Sequence, residues 1–278
     1  MKLGVIDVGG GVRGSYGAGV LDYCMDRGID FDYGIGVSAG SANIVSYFAG
    51  QRGRNYRFYT DYAFRPSYMS MGNYLKSRNY IGLDYIYSTL SETGGEDPLD
   101  FDRVKASGKE FVVVATNAVT GEPVYFNGMT DMEKDDYSAI KGSCCVPVVN
   151  RPYDVHGIPC YDGGISDPVP LEKAFSDGCD HIVLILTRPR DDYRPADADI
   201  RYARFLRKYP KSARKLAGRS YLYNGGLDLA KQYEAEGKVT IVAPEDISGM
   251  KTLTKDRDAI AKLYSDGYED AKVLDEFL

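Results

Sequence analysis

Three consecutive glycines, Gly9-Gly10-Gly11, stand between a short apolar run, Leu3–Val8, and a stretch with helical spacing, Tyr16–Arg27. Backbone without Cβ atoms bends sharply and approaches other groups closely. The stretch therefore restricts the chain to folds in which a strand, a bare loop and a helix succeed one another. The same rhythm continues. Further β-compatible runs fall at Tyr33–Val37, Phe111–Ala118, Val124–Asn127, Tyr153–Tyr161, His181–Thr187 and Lys238–Ala243. Helical patterns fall at Ala39–Ala49, Pro168–Ser176, Arg201–Ala217, Tyr221–Glu236 and Thr254–Phe277. Short strands alternating with longer amphipathic stretches predict an α/β chain with three α/β/α layers and a mostly parallel central sheet. Turn signals inside "ATNAVTGEPVYFN" and "YDVHGIPCYDGG" add antiparallel hairpins to that sheet. No repeat or low-complexity linker divides the chain, so a single domain over 1–278 is expected. Two parts depart from the alternation: a Tyr- and Phe-rich helical excursion around 51–100 and a helical C-terminal part around 198–278.

Composition narrows the function class. A net charge of −6 argues against general nucleic-acid binding. No apolar run reaches the length of a membrane span, and the Met1 end enters a strand-like segment in place of a secretory apolar region. A cytoplasmic protein is expected. The five cysteines form no Cys-x-x-Cys pair and no Cys/His ligand spacing, so they read as reduced, mostly buried residues and no zinc site is expected.

Two chemistries fit the glycine loop. "GGGVRG" satisfies the G-x-G-x-x-G pattern of a dinucleotide site, which would make the chain a nucleotide-binding regulator. That reading needs an acid at the end of the second strand, and Asp30 and Asp32 precede that strand. The strand leads instead into Gly36-Val37-Ser38-Ala39-Gly40, a G-x-S-x-G sequence between a strand and a helix. A nucleophilic serine on such a turn needs small flanking residues, and Gly36 and Gly40 provide them. With the first two strands adjacent and parallel, Gly10 and Gly11 could point backbone N–H groups at a carbonyl attacked by Ser38.

A serine also needs a base. Of the two histidines, His181 begins an apolar strand at the wrong edge of the sheet and His156 lies in a turn, so both read as structural or solvent-facing. Asp162, in "YDGGISDPVP", comes after a strand and precedes two glycines. It fits a base or, equally, a turn aspartate bonded to its own backbone.

Together, "GGGVRG", "GVSAG" and "DGG" resemble the patatin-like phospholipase family, in its branch of small bacterial members. The similarity extends through "CCVPVVNRPY" to "KDRDAIAKLYSDGYEDAKVL", nearly the whole chain. The resemblance implies a Ser–Asp dyad, with Ser38 as nucleophile and Asp162 as general base and no histidine. Gly9, Gly10 and Gly11 would form the oxyanion loop, Arg13 and Gly14 would complete its motif, and Gly163 and Gly164 would come directly after the base. It implies hydrolysis of lipid acyl esters without metal or cofactor. Many bacterial relatives carry Glu before the triple glycine, where this chain has Val8.

Three further features carry expectations. Arg13 is expected to fold back and hold the loop through carboxylate or carbonyl contacts, with a phospholipid phosphate as its alternative partner. The aromatics Tyr56, Phe58, Tyr59, Tyr62, Phe64, Tyr68, Tyr74 and Tyr80 either pack a helical cap onto the sheet, line an acyl channel or meet a bilayer surface. Eight basic residues and no acidic one lie between Arg201 and Arg219, split at Pro210. They form either a solvated face or a peripheral contact with an anionic membrane.

Overall fold

The computed structural model describes residues 1–277. Eight strands form one sheet: β1 Leu3–Asp7, β2 Tyr33–Val37, β3 Glu110–Asn117, β4 Pro123–Asn127, β5 Tyr153–Val155, β6 Ile158–Asp162, β7 His181–Ile185 and β8 Val239–Val242. Their order is β5-β6-β3-β2-β1-β7-β8, with β4 also on β3. β3, β2, β1, β7 and β8 are mutually parallel, while β4, β5 and β6 join as the antiparallel hairpins predicted from their turns.

The central parallel strands are buried on both faces, which explains their nearly continuous apolar composition. Alternate residues divide between two cores: Val5 faces one and Ile6 the other. The helices are α1 Ser15–Arg27, α2 Ala39–Phe48, α3 Arg54–Thr60, α4 Met71–Ser77, α5 Phe101–Ser107, α6 Ser138–Ser143, α7 Leu171–Ser176, α8 Asp197–Ala203, α9 Pro210–Ala235 and α10 Arg257–Asp270. Residues of α1, α2 and α10 fill the core on one face, and residues of α7 and α9 fill the other. This is the three-layer α/β/α architecture.

The stretch Arg201–Ala217 is split at Pro210 as expected: α8 stops at Ala203 and α9 begins at Pro210. Proline suits a first helical position, where its missing N–H has no partner to lose. α9 then runs unbroken through the gap expected after Ala217. The excursion contains α3, α4 and a π-helical turn at Tyr85–Thr89, with an isolated bridge between Met69 and Ile81. A buried guanidinium, Arg54, anchors it through Ser46, Ser91 and the Asp97 carbonyl.

The register of β3 places the site. Val37 lies opposite Val114, and Asp162 lies opposite Ala115, the next residue along β3. The chain thus leaves β2 at Ser38 beside the point where it leaves β6 at Asp162.

Candidate active site

Loops after β1, β2 and β7, and the loop between β8 and α10, converge at the C-terminal edge of the parallel strands. This is where open α/β sheets place their ligands.

Ser38 joins β2 to α2 with φ 55° and ψ −129°. Such a conformation costs a non-glycine residue about 1–3 kcal/mol, so its surroundings must enforce it. A Cβ at Gly36 would enter the Ser41 backbone, and one at Gly40 would strike the Asp7 carbonyl. Ser143, from α6, pins the turn: its Oγ accepts the Ser38 N–H at 2.8 Å and the Ser41 hydroxyl at 3.0 Å. The same hydroxyl donates to the Val114 carbonyl at 2.6 Å.

The glycine loop has φ of 63°, 134° and 62° at Gly9, Gly10 and Gly11. Its amides are not equivalent. The Gly9 N–H donates to Asp7 Oδ1 at 2.8 Å, and the Gly9 carbonyl accepts the Thr187 hydroxyl. The Val12 N–H donates to the Thr252 carbonyl at 3.0 Å. No described residue takes the Gly10 or Gly11 N–H, and both glycines border the cavity that holds Ser38. A Cβ at Gly14 would meet the Tyr59 hydroxyl, so that glycine admits the aromatic excursion.

Asp162 is buried and faces the same cavity. Burial pushes its carboxyl above the usual range, while the Ser38 hydroxyl, the Gly164 N–H and the charges of Arg219 and Arg194 pull it down; the net direction is upward. Its ordered bond is from the Gly164 N–H at 2.8 Å, with Ser38 a looser partner. A Cβ at Gly163 would collide with the Val114 carbonyl. One Asp162 oxygen caps its own loop, as the turn reading expects, while Asp162 and Ser38 border one cavity.

Arg13 departs from expectation. It makes no carboxylate or carbonyl bond among the described residues. Its Nη1 donates weakly to the Thr252 hydroxyl at 3.4 Å, and its buried Nε has no partner. The histidines lie away from the serine. His156 pairs with Asp136 at 3.0 Å on an exposed turn, and His181 bonds Thr240 Oγ1 at 2.9 Å at the far end of β7.

Two spaces meet at Ser38. One is a cavity of ≈ 410 Å³ bordered by the glycine loop, Asp162 and several arginines. The other is a narrow slot of ≈ 60 Å³ walled by Phe58, Tyr59, Tyr68, Met69 and Tyr87. The excursion's aromatics therefore divide. Phe58, Tyr59 and Tyr68 line the slot, whereas Tyr56 packs on Tyr264 and Tyr62 on Phe58.

Sequence reasoning missed the support beneath the loop. Asp7 accepts the Asn43 amide at 2.8 Å, and Asn43 also donates to the Gly14 carbonyl and accepts the Tyr59 hydroxyl. Burial pushes Asp7 up to about 6, against the pull of Asn43 and the Gly9 N–H. An acid ending an apolar strand was the available signal. Ser143 and Thr252 offered none, since hydroxyl residues are common in any loop or short helix.

Residues 8–175 match the family model for patatin-like phospholipase, and residues 209–274 match a domain of unknown function, DUF6363. The uncharacterized protein YjjU of Escherichia coli K12 is 29% identical over 197 residues, covering 69% of this chain. The chain spans about half of that relative's length, 54%. The crystal structure of VipD from Legionella pneumophila superposes with a TM-score of 0.54 at 16% identity, over 99% of this chain and 67% of that one. The family match covers more than half of the residues and includes the glycine loop, the serine turn and Asp162: the chain belongs to the patatin-like phospholipase family.

Proposed function

We propose that the protein is a serine acyl hydrolase of lipid-like carboxylic esters, acting through Ser38 and Asp162. The observation that carries this reading is the strained Ser38 turn beside a buried, proton-attracting carboxyl, with two unengaged glycine amides across the same cavity. A nucleotide-binding loop would have no use for the strain at Ser38.

In the proposed cycle Asp162 takes the Ser38 proton as Oγ bonds to the ester carbonyl carbon. The carbonyl oxygen becomes an oxyanion held by the Gly10 and Gly11 N–H groups, each worth about 3 kcal/mol in comparable sites. Gly9 serves as the loop's anchor, because Asp7 already holds its amide. The ester C–O bond then breaks and the alcohol leaves with the proton from Asp162. Water attacks the acyl-enzyme, giving its proton to Asp162, and Ser38 is restored with the carboxylic acid released.

The apolar slot suits the acyl chain. At ≈ 60 Å³ it suits short chains. The surface supplies a way to lipid: Arg201, Arg204, Arg207, Lys208, Lys211 and Arg214 are exposed together with Tyr202 and Phe205. Tyr202 also borders the larger cavity, so this basic face adjoins the cavity's mouth. Among the described residues no helix is long and apolar enough to cross a membrane, and the proposed contact is peripheral.

Turnover of p-nitrophenyl butyrate tests the dyad. Ser38→Ala and Asp162→Asn should each lower kcat by about 10³-fold or more while far-ultraviolet circular dichroism is retained. Near-wild-type turnover by folded Asp162→Asn, or a comparable loss in His181→Ala, would replace the dyad.

A further inference from the structure

An unbroken line of hydrogen bonds runs through the protein interior from the apolar slot to the glycine loop. Tyr59, a wall of the slot, donates its hydroxyl to Asn43 Oδ1 at 3.0 Å. Asn43 Nδ2 donates to Asp7 Oδ2 at 2.8 Å and to the Gly14 carbonyl at 2.8 Å. Asp7 Oδ1 accepts the Gly9 N–H at 2.8 Å. The line thus begins on α3, crosses α2 and the end of β1, and ends at the first glycine of the loop.

This line is stiff. Asp7, Asn43 and Tyr59 are all buried, so water does not compete for their bonds. Each polar atom of the Asp7 and Asn43 side chains is engaged, and a displaced member has no spare partner to take. Backbone closes round it as well. A Cβ at Gly17 would strike Asp7 Oδ2, one at Gly40 the Asp7 carbonyl and one at Gly14 the Tyr59 hydroxyl. The fold itself gains little from a carboxyl and a phenol placed in its interior, because desolvation offsets the bonds they make. Burial accordingly pushes Asp7 up to about 6.

Where the line begins gives it a use. Tyr59 and Asn43 both border the slot, whereas Gly9 does not. A second slot tyrosine, Tyr87, has its hydroxyl paired with Cys144 Sγ at 3.2 Å and takes no part. We propose that Tyr59, Asn43 and Asp7 are positioning residues that couple the oxyanion loop to the filling of the slot. An acyl chain packed on Tyr59 seats its hydroxyl on Asn43, which holds Asp7 and with it the Gly9 amide. Gly10 and Gly11 then keep their N–H groups turned to the cavity. Binding energy from the non-reacting end of the substrate is thereby expressed in the chemical step. The inference rests on the acyl-hydrolase reading and deepens it: chain length controls turnover as well as binding.

The test compares p-nitrophenyl acetate with p-nitrophenyl butyrate. In wild type kcat for butyrate should exceed that for acetate about fivefold or more, because only the longer chain fills the slot. Isosteric Tyr59→Phe keeps the wall and removes the hydroxyl. It should bring that ratio below about twofold, with KM for butyrate changed by less than about twofold. Asp7→Asn should act in the same way, and the double variant should do no more, since one broken link already separates the two ends. A merely structural contribution would lower turnover of both esters alike and make the two losses add. Xenon gives a reading without turnover, because under pressure it enters dry apolar cavities. It should shift the Gly9 amide resonance in wild type and leave it in place in Tyr59→Phe. If no ester is turned over but xenon moves Gly9 in this way, the coupling stands and the hydrolase reading falls. A wild-type ratio near one, a ratio that folded Tyr59→Phe and Asp7→Asn leave unchanged, or equal xenon shifts at Gly9 in wild type and Tyr59→Phe overturns the proposal.

Discussion

Ser38 and Asp7 show how much buried polar structure lies beneath a site of a few named residues. The serine's left-handed backbone is held by Ser143 from a helix remote in sequence, and Asp7 sits fully buried to hold the loop's first amide. Burial raises the Asp7 carboxyl from 3.8 to about 6. A group whose pKa is higher folded than unfolded stabilises the fold most fully below its unfolded pKa, and that contribution is lost as pH rises through its folded pKa. For Asp7 the loss spans roughly pH 4 to 6 and amounts to about 3 kcal/mol. Asp7→Asn has no such titration. Its unfolding free energy, measured in urea against wild type, should therefore move in the variant's favour by up to that amount between pH 4 and pH 7. A difference independent of pH would show that Asp7 is ionised in the fold throughout. At this scale the sequence was legible where glycine framed a polar residue, as at Ser38 and Asp162. It was opaque for Asn43 and Ser143, whose importance comes only from partners distant in the chain.

The helical layer shows a second kind of constraint. α1 and α10 cross with backbones nearly touching: a Cβ on Gly19 would strike the Tyr264 carbonyl, and one on Gly267 the Tyr16 carbonyl. Tyrosine hydroxyls then bond across the contact, Tyr16 to Asp270 at 2.8 Å, Tyr264 to Asp22 at 2.7 Å and Tyr268 to Asp26 at 2.9 Å. Part of the chain's wealth of tyrosine serves this seam. Gly267→Ala must push the helices apart and should cost about 1–3 kcal/mol in urea unfolding, whereas Gly218→Ala, open on its surface, should not destabilise the fold. Equal effects of the two would deny the close crossing. Strands and long helices were legible from periodicity. α6, with six residues, is too short to show a period. α5 was overlooked although Asp100 caps it by accepting the Arg103 N–H at 3.1 Å. α9 was legible as two helices, with a gap expected at Gly218, where the helix surface is open.

Across the whole molecule, the region matching DUF6363 is built into the site. Thr252 takes the Val12 amide over the glycine loop, Lys255 bonds the Met69 carbonyl of the excursion, and α9 carries Arg219 and Tyr223 to the cavity. We propose that the chain folds as one unit for this reason. The α/β layering was legible in the sequence, but this roof was not, because its contacts join residues some 240 positions apart. The basic face with exposed Phe205 begins just before that region and continues into it at Lys211 and Arg214. In sedimentation at low salt the protein should bind phosphatidylglycerol vesicles more than phosphatidylcholine vesicles, less so at high salt; equal binding would remove the membrane contact. Everything proposed for the cavity depends on Ser38 being an activated nucleophile whose base is Asp162. A fluorophosphonate probe tests it most directly, with the adduct located by mass spectrometry. An activated serine predicts stoichiometric labelling of wild type at Ser38, none in Ser38→Ala and strongly slowed labelling in Asp162→Asn. Folded wild-type protein left unlabelled at Ser38, or labelled at an unchanged rate without the Asp162 carboxylate, would contradict it.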